Sequence, residues 1–256
     1  MMADSLYQEY YKFFHKKMVW YAPILLIPLM LLAWLLFKFE FSRYLVISSF
    51  LAGPWIEMLL VVIGAGIFSM EFQEGTILTL LYKASSKRDI YFSKFLVIFC
   101  YDVVLHVIAF GLTIVLSLII FPGQVDWFAV YQYQQPLIVN LILTLLVGLV
   151  ASLLTIALLF FFSSLSKNNS LAVVISFVLI FMGQGLSDNL LNKYETFDFI
   201  IKWNPLNMLN LQNQYTTYVV YHELTQLSNL QIIGGALCYT LIFLEFGYLI
   251  FSHRKF

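Results

Sequence analysis

The stretch LIVNLILTLLVGLVASLLTIALLFFFSSL, at Leu137–Leu165, decides the class of fold. It contains no charged residue, and its few polar side chains are uncharged. A helix that crosses the hydrocarbon core of a bilayer, about 30 Å thick, needs about 20 largely apolar residues. A helix also satisfies its own backbone hydrogen bonds, which lipid cannot do. The stretch therefore predicts a membrane-spanning helix.

Apolar segments of similar length lie on both sides of this stretch. Of the 256 residues, 61% are hydrophobic and only 11% are charged, whereas soluble domains contain about 25% charged residues. This composition predicts one all-α integral membrane domain, residues 1–256, in which the first two spans form a hairpin. The six predicted spans are Trp20–Phe37, Tyr44–Phe68, Phe95–Phe121, Leu137–Leu165, Leu171–Leu191 and Gln231–Phe251.

Lys and Arg are unevenly distributed among the predicted loops. Loops rich in Lys and Arg remain cytoplasmic, so we predict that both termini are cytoplasmic. The net charge of zero gives no indication of a nucleic-acid partner. Residues with AT-rich codons are abundant, which indicates an AT-rich bacterial genome. The predicted location is therefore the bacterial cytoplasmic membrane. In this orientation the inside residues are Lys12, Lys16, Lys17, Lys83, Lys87, Arg88, Lys94, Lys167, Arg254 and Lys255, and the outside residues are Lys38, Arg43, Lys193 and Lys202.

The segment before the first span, residues 5–18, has the pattern of an amphipathic helix. Ser5 and Gln8 have the spacing of a capping box. Apolar side chains follow on one face, while charged ones lie elsewhere, as in a helix on the inner membrane surface. We predict such a surface helix, with a bend near Pro23; the alternative is the cytoplasmic end of the first span. The apolar positions are Leu6, Tyr10, Phe13 and Phe14.

The inside loop between spans two and three, residues 69–94, is longer and more charged than the other inside loops. Ile77, Leu80 and Leu81 recur at helical spacing, which predicts a short helix with an apolar side for docking to a partner. Gly75 and Thr76 supply a turn and a cap at its start. The alternative is a basic loop that only determines topology.

The same loop resembles the signature of ABC-2 type transporter permeases, the membrane subunits of ATP-driven exporters. That pattern has an acidic residue before Gly-Thr, a Leu-Leu pair, Pro-x-Ser-Arg, an aliphatic residue and a Lys at the third span. Ala84, Lys87 and Ser93 depart from the usual residues, but the order and spacing are kept. The matching residues are Glu74-Gly75-Thr76, Leu80-Leu81, Ala84-Ser85-Ser86-Lys87-Arg88, Ile90 and Lys94.

The resemblance implies that this loop contains a coupling helix, which fits a groove on a cytoplasmic ATPase. It implies two ATPase subunits that bind ATP and Mg, a second permease copy in a homodimer, and no cofactor on this chain. Small permeases of this type resemble exporters of cytolytic or antimicrobial peptides such as phenol-soluble modulins. The implied cargo is thus an amphipathic or hydrophobic peptide, moved outward by alternating access, with drug-like or lipid cargo second. The implied coupling residues are Glu71, Glu74, Gly75, Thr76, Leu80, Leu81, Lys87 and Arg88.

Ionisable residues within the predicted spans indicate a candidate translocation path. A charge at the bilayer centre costs at least about 2.5–3.5 kcal/mol, so such residues usually face protein or water. Asp102 and His106 are four residues apart and can pair on one helical face. Glu57 follows Pro54 in the second span. The alternatives are that Asp102 lies near the inner interface and that Glu57 has only a structural hydrogen-bonding role.

The outside segment 192–230 contains Trp203-Asn204-Pro205 and a polar, aromatic run at Tyr215–Tyr221. Short helices that re-enter the membrane inside protein fit this composition, and an ordinary solvated loop fits it equally.

Several motifs of catalysis are absent from the sequence. It lacks a GxxxxGK[ST] phosphate loop, an HExxH zinc motif, a GxSxG nucleophile elbow and a cysteine–histidine cluster. We therefore predict no catalytic, cofactor or metal site on this chain, and ATP hydrolysis on a partner. An ion-driven secondary transporter and an intramembrane enzyme are the alternative functions.

Overall fold

The apolar patterns of the sequence form helices, and the described residues contain no β-strand. The computed structural model describes residues 2–37, 42–73, 86–166, 169–193 and 198–253. The helices are α1 (Met2–Phe14), α2 (Lys17–Phe37), α3 (Ser42–Ile47), α4 (Ala52–Gln73), α5 (Lys87–Ile120), α6 (Leu137–Leu165), α7 (Asn169–Lys193), α8 (Asp198–Ile201), α9 (Leu211–Thr216), α10 (Tyr218–Thr225) and α11 (Asn229–His253).

Helix α6 lies at the centre of the bundle and has the bounds predicted from its sequence. It packs against α4, α5, α7, α9 and α11. Of the 18 consecutive residues that form its most apolar part, 67% are buried inside the protein, compared with 22–33% for the corresponding parts of the other candidate spans. Small residues on α6 and α11 allow this close packing, which in lipid depends on van der Waals contact between helices.

Five described helices are long and apolar enough to cross a membrane: α2, α5, α6, the Val173–Lys193 part of α7, and α11. The chain is thus an all-α integral membrane protein. The second predicted span, Tyr44–Phe68, is not among these five. The prediction of one unbroken helix there is wrong, because α3 and α4 are separated by a turn.

This turn, at Ser49–Leu51, has a left-handed backbone. The φ angles of Ser49, Phe50 and Leu51 are 52°, 51° and 57°. Left-handed helical residues cost about 1–2 kcal/mol each for side chains other than glycine. Burial offsets this cost, since Phe50 is fully buried and stacks on Phe121 with ring centroids 6.4 Å apart. Tertiary packing therefore overrides the helical pattern of the sequence.

Helix α1 is separate from α2 and packs along α5. The break lies at His15 and Lys16, and not near Pro23 as predicted, since Pro23 is inside α2. The Phe13 ring meets Tyr101 of α5 edge-on, with centroids 5.1 Å apart. Tyr101 in turn donates a hydrogen bond to the carbonyl of Val19, at 2.6 Å. Placement of α1 at a membrane surface stays a prediction.

The described part of the segment 192–230 folds into short helices that pack onto α6, α7 and α11. Several of its polar side chains are buried and have hydrogen-bond partners. The amide of Asn207 donates to the carbonyls of Lys202 and Thr225, at 2.7 and 2.9 Å, and Gln214 donates to the carbonyl of Leu227, at 2.8 Å. Irregular backbone is tolerated within the membrane only where it is buried in protein or lines a water-filled cavity, and this packing is compatible with that rule. Whether the segment re-enters the membrane stays a prediction.

The loop between α5 and α6 is joined to this segment by a pair of stacked tyrosines. Tyr133 stacks on Tyr215 with centroids 5.2 Å apart, and its hydroxyl donates to the Tyr215 carbonyl at 3.1 Å. Burial raises the pKa of Tyr215 to about 12. Its hydroxyl therefore stays neutral at physiological pH, and no charge disturbs the contact.

Replacing Gly247 with Ala is expected to lower the stability of the protein by about 1–3 kcal/mol, the usual cost of overpacking. A Cβ at Gly247 would lie 3.2 Å from the Cα of Phe161 on α6 and would overlap the Tyr91 hydroxyl. Thermal unfolding in lipid nanodiscs measures the loss. Gly234→Ala on the same helix is the matched control, because nothing lies within 4 Å of its Cβ position. Equal unfolding temperatures for the two variants would contradict the packing of α11 on α6.

Candidate functional site

A buried acid–base pair on α5 forms the centre of the candidate site. The Asp102 Oδ1 and His106 Nδ1 atoms are 2.9 Å apart, and Asp102 is fully buried. The Ser152 hydroxyl of α6 donates a hydrogen bond to the other carboxylate oxygen, Oδ2. His106 Nδ1 also lies 3.0 Å from the Asp102 carbonyl. The carbonyl acceptor at Nδ1 favours a hydrogen on that nitrogen in either charge state of the ring.

The other ring nitrogen of His106, Nε2, faces Gly148 of α6. A Cβ at Gly148 would lie 2.9 Å from Nε2, so only glycine leaves room for the ring there. Nε2 is buried and has no hydrogen-bond partner among the described residues. A buried polar atom without a partner is costly, and in a transporter such an atom is a candidate contact for cargo or water.

The Asp102–His106 pair lies near the middle of α5. At a rise of about 1.5 Å per residue, Asp102 is about 22 Å from the Lys87 end and about 27 Å from the Ile120 end. Whether Asp102 lies at the membrane centre or near the inner interface stays a prediction. The predicted pairing of Asp102 with His106 is confirmed by their 2.9 Å separation.

Glu57 of α4 lies close to the same cluster, since its carboxylate is within electrostatic range of Asp102 and His106. Glu57 also lines a cavity of about 190 Å³. The structure thus brings the three predicted path residues together at one place in the bundle. The other residues that line the cavity are Pro54, Ile180, Phe181, Gln184, Leu209, Gln212 and Asn213.

The amide side chains of this cavity were not predicted from the sequence. Gln212 of α9 packs against Gly53 of α4, where any Cβ would overlap its amide group. The amide of Gln184 donates to the Leu209 carbonyl at 3.2 Å, and Asn213 donates to the Gln184 oxygen at 3.2 Å. Gln184 stands out as an amide within a predicted span, but Gln212 and Asn213 lie in the outside segment 192–230, and the sequence does not show that the three residues converge.

Most of the predicted coupling residues, Glu74–Leu81, lie outside the described residues. Glu71 belongs to α4, but its side chain is outside what the structure describes. Lys87 donates to the Ser252 carbonyl near the end of α11, at 2.7 Å. Arg88 is exposed and lies over the ring of Phe92, 5.7 Å from its centroid. Lys87 is therefore hydrogen-bonded to another helix of this chain, whereas Arg88 is exposed.

The Lys at the start of the third predicted span, Lys94, joins α1 to α5. Its Nζ lies 2.6 Å from Oε2 of Glu9, with only 1% of the Lys94 side chain and 6% of the Glu9 side chain exposed. The hydroxyl of Ser5 reaches the carbonyl of Asp89 on the same helix, at 3.4 Å. The helix that follows the inside loop is thus held to the N-terminal helix by a buried ion pair.

The family model described as ABC-2 family transporter protein matches residues 5–183. This chain belongs to that family. The match covers α1, the loop 69–94, and the helices that carry Glu57, Asp102 and Ser152. The segment 198–228 and α11 lie beyond it. A search of curated proteins finds no match.

The ABC-2 protein is therefore a multi-pass membrane subunit of an ABC transporter, and its family implies association with an ABC ATPase. Membership favours this function over the ion-driven secondary transporter. The family assigns the chain a transport role and assigns no role to its individual residues.

Proposed function

We propose that this ABC-2 permease exports an amphipathic or hydrophobic cargo, foremost a cytolytic or antimicrobial peptide, by alternating access. Two copies would pair with two ATPases in a bacterial cytoplasmic membrane, with both termini cytoplasmic. The family match over residues 5–183 carries the transport role. The position of the polar cluster supports a path through the bundle, since intramembrane ionisable residues usually face a path or each other.

In this proposal ATP is bound and hydrolysed with Mg on the partner ATPase. The loop 69–94 transmits the closure of the ATPase dimer to the permease. Glu71, Glu74, Gly75, Thr76, Leu80 and Leu81 would form the docking helix, with Arg88 beside them. Two contacts of the described residues support transmission from this loop into the bundle. Lys94 ties α5 to α1 through Glu9, and Lys87 ties α5 to the end of α11.

The double change Glu74→Arg plus Leu80→Asp is expected to reduce co-purification of the ATPase at least tenfold. A reversed charge and a carboxylate on an apolar docking face both oppose binding. The measurement is pull-down of the candidate ATPase with tagged permease in mild detergent. Glu223→Arg is the matched control, because Glu223 is exposed on α10, far along the chain from the loop.

Thermal unfolding of each variant shows whether the permease remains folded. Retention of the ATPase by the folded double variant would contradict the coupling role of residues 69–94. Loss of the ATPase from both the double variant and Glu223→Arg would show that the effect is not specific to the loop.

A further inference from the structure

The cavity beside Glu57 has the charge of a site for a cation. Glu57 is its only charged side chain among the described residues that line it. The neighbouring pair contributes one carboxylate, Asp102, and one imidazole, His106. With both carboxylates ionised, the three groups retain at least one net negative charge even when His106 is protonated.

No Lys or Arg in the described ranges forms an ion pair with Glu57 or Asp102. An ionised carboxylate away from water is costly unless a positive charge compensates it. The bundle does not supply that charge from the described residues. A mobile cation that occupies the cavity would supply it.

We propose that this cavity binds a primary ammonium group of the transported molecule, such as a lysine side chain or a free amino terminus. The amide side chains of Gln184, Gln212 and Asn213 line the same cavity as Glu57. An ammonium group has three donors and no acceptor, which suits a cavity that offers both a carboxylate and amide oxygens. The ring of Phe181 lines the same cavity and offers a face to a cation.

The volume of the cavity limits what it holds. Sites for whole drug-sized ligands measure about 300–1,000 Å³, and this cavity measures about 190 Å³. It therefore accommodates a charged group with a short apolar stem, while the rest of a larger cargo lies elsewhere. The inference rests on the proposed export function, because the ammonium group belongs to the cargo.

Hexylammonium chloride is the probe, and hexan-1-ol is the neutral probe of equal chain length. Purified permease in phosphatidylcholine nanodiscs is titrated with each, and the rise in unfolding temperature reports binding. We expect hexylammonium to raise the unfolding temperature and hexanol to have no such effect. Glu57→Gln is expected to weaken hexylammonium binding about tenfold or more, since a charge-assisted hydrogen bond is lost. Glu57→Asp is expected to retain most of the affinity.

Glu245→Gln is the matched control, because Glu245 is an exposed carboxylate on α11 that does not line the cavity. Where Glu57→Gln does not fold, Gln184→Leu serves instead and is expected to weaken hexylammonium binding. Equal binding of hexylammonium to wild type and these cavity variants would overturn the proposal. Equal effects of hexylammonium and hexanol would overturn it as well.

Nanodiscs of phosphatidylethanolamine test whether a lipid headgroup supplies the ammonium. Loss of the hexylammonium effect in that lipid would assign the site to the headgroup and overturn the cargo assignment. Co-purification of the ATPase, measured on the same preparations, separates this inference from the proposed function. If hexylammonium binds but no ATPase co-purifies, only the exporter proposal is contradicted. If the ATPase co-purifies but hexylammonium has no effect, only the ammonium site is contradicted.

Discussion

Replacing Lys94 with Met is expected to destabilise the docking of α1 on α5 by about 3–5 kcal/mol, the cost of removing one partner from a buried ion pair. Glu9 would remain with 6% of its side chain exposed and without the Nζ that lies 2.6 Å away. Because α1 packs chiefly on α5, the loss is expected as release of α1. Limited proteolysis at the N-terminal helix, followed by mass spectrometry, measures that release.

Two variants separate the ion pair from general damage. Lys12→Met removes a second, weaker partner of Glu9, 3.5 Å away and 42% exposed, and exposed pairs contribute only about 0–1 kcal/mol. The double variant Glu9→Gln plus Lys94→Met removes both charges and is expected to recover most of the docking. Equal protease sensitivity of Lys12→Met and Lys94→Met would contradict the structural role of the buried pair.

Lys94 illustrates what the sequence predicts and what it omits. Its position at the start of the third span follows from the order of the motif residues in the loop 69–94. Its partner Glu9 is far away in sequence, and no local pattern connects the two residues. Periodicity predicts that α1 has an apolar face, but it does not predict which helix that face contacts.

Two of the predicted spans also differ in whether the local sequence or the tertiary packing determines their structure. The bounds of Leu137–Leu165 are confirmed, since a long apolar run flanked by polar residues determines a helix locally. Tyr44–Phe68 is also a largely apolar run, but the chain turns at Ser49–Leu51, where Phe50 packs into the core. A left-handed turn of ordinary residues has no sequence signal comparable to glycine.

The candidate site was partly predictable for a related reason. Asp102 and His106 share a helix, so spacing alone predicts their contact. Ser152 and Gln212 reach the site from α6 and α9, and their convergence depends on tertiary packing. Rare ionisable residues stand out in an apolar sequence, whereas Ser and Gln do not.

Replacing Asp102 with Leu is expected to lower cargo transport at least tenfold and to destabilise the bundle as well. The imidazole of His106 would lose the carboxylate 2.9 Å from its Nδ1, and the Ser152 hydroxyl would lose its carboxylate acceptor, which leaves each with one backbone carbonyl. Loss of a hydrogen bond to a charged group costs about 1.5–3 kcal/mol. Thermal unfolding in nanodiscs measures the loss of stability. Uptake of a fluorescent amphipathic peptide into inverted vesicles, with and without ATP, measures transport.

The triple variant Asp102→Leu, His106→Leu and Ser152→Ala separates a structural role from a transport role. Replacing all the polar partners by apolar groups is often nearly neutral for stability, so the unfolding temperature is expected to recover. Transport is expected to stay low, because the polar groups beside Glu57 are then missing from the bundle. Full recovery of both properties would show that the cluster only holds α5 to α6. Recovery of stability alone would show that the buried polar groups are retained for transport, at a cost to the stability of an otherwise apolar bundle.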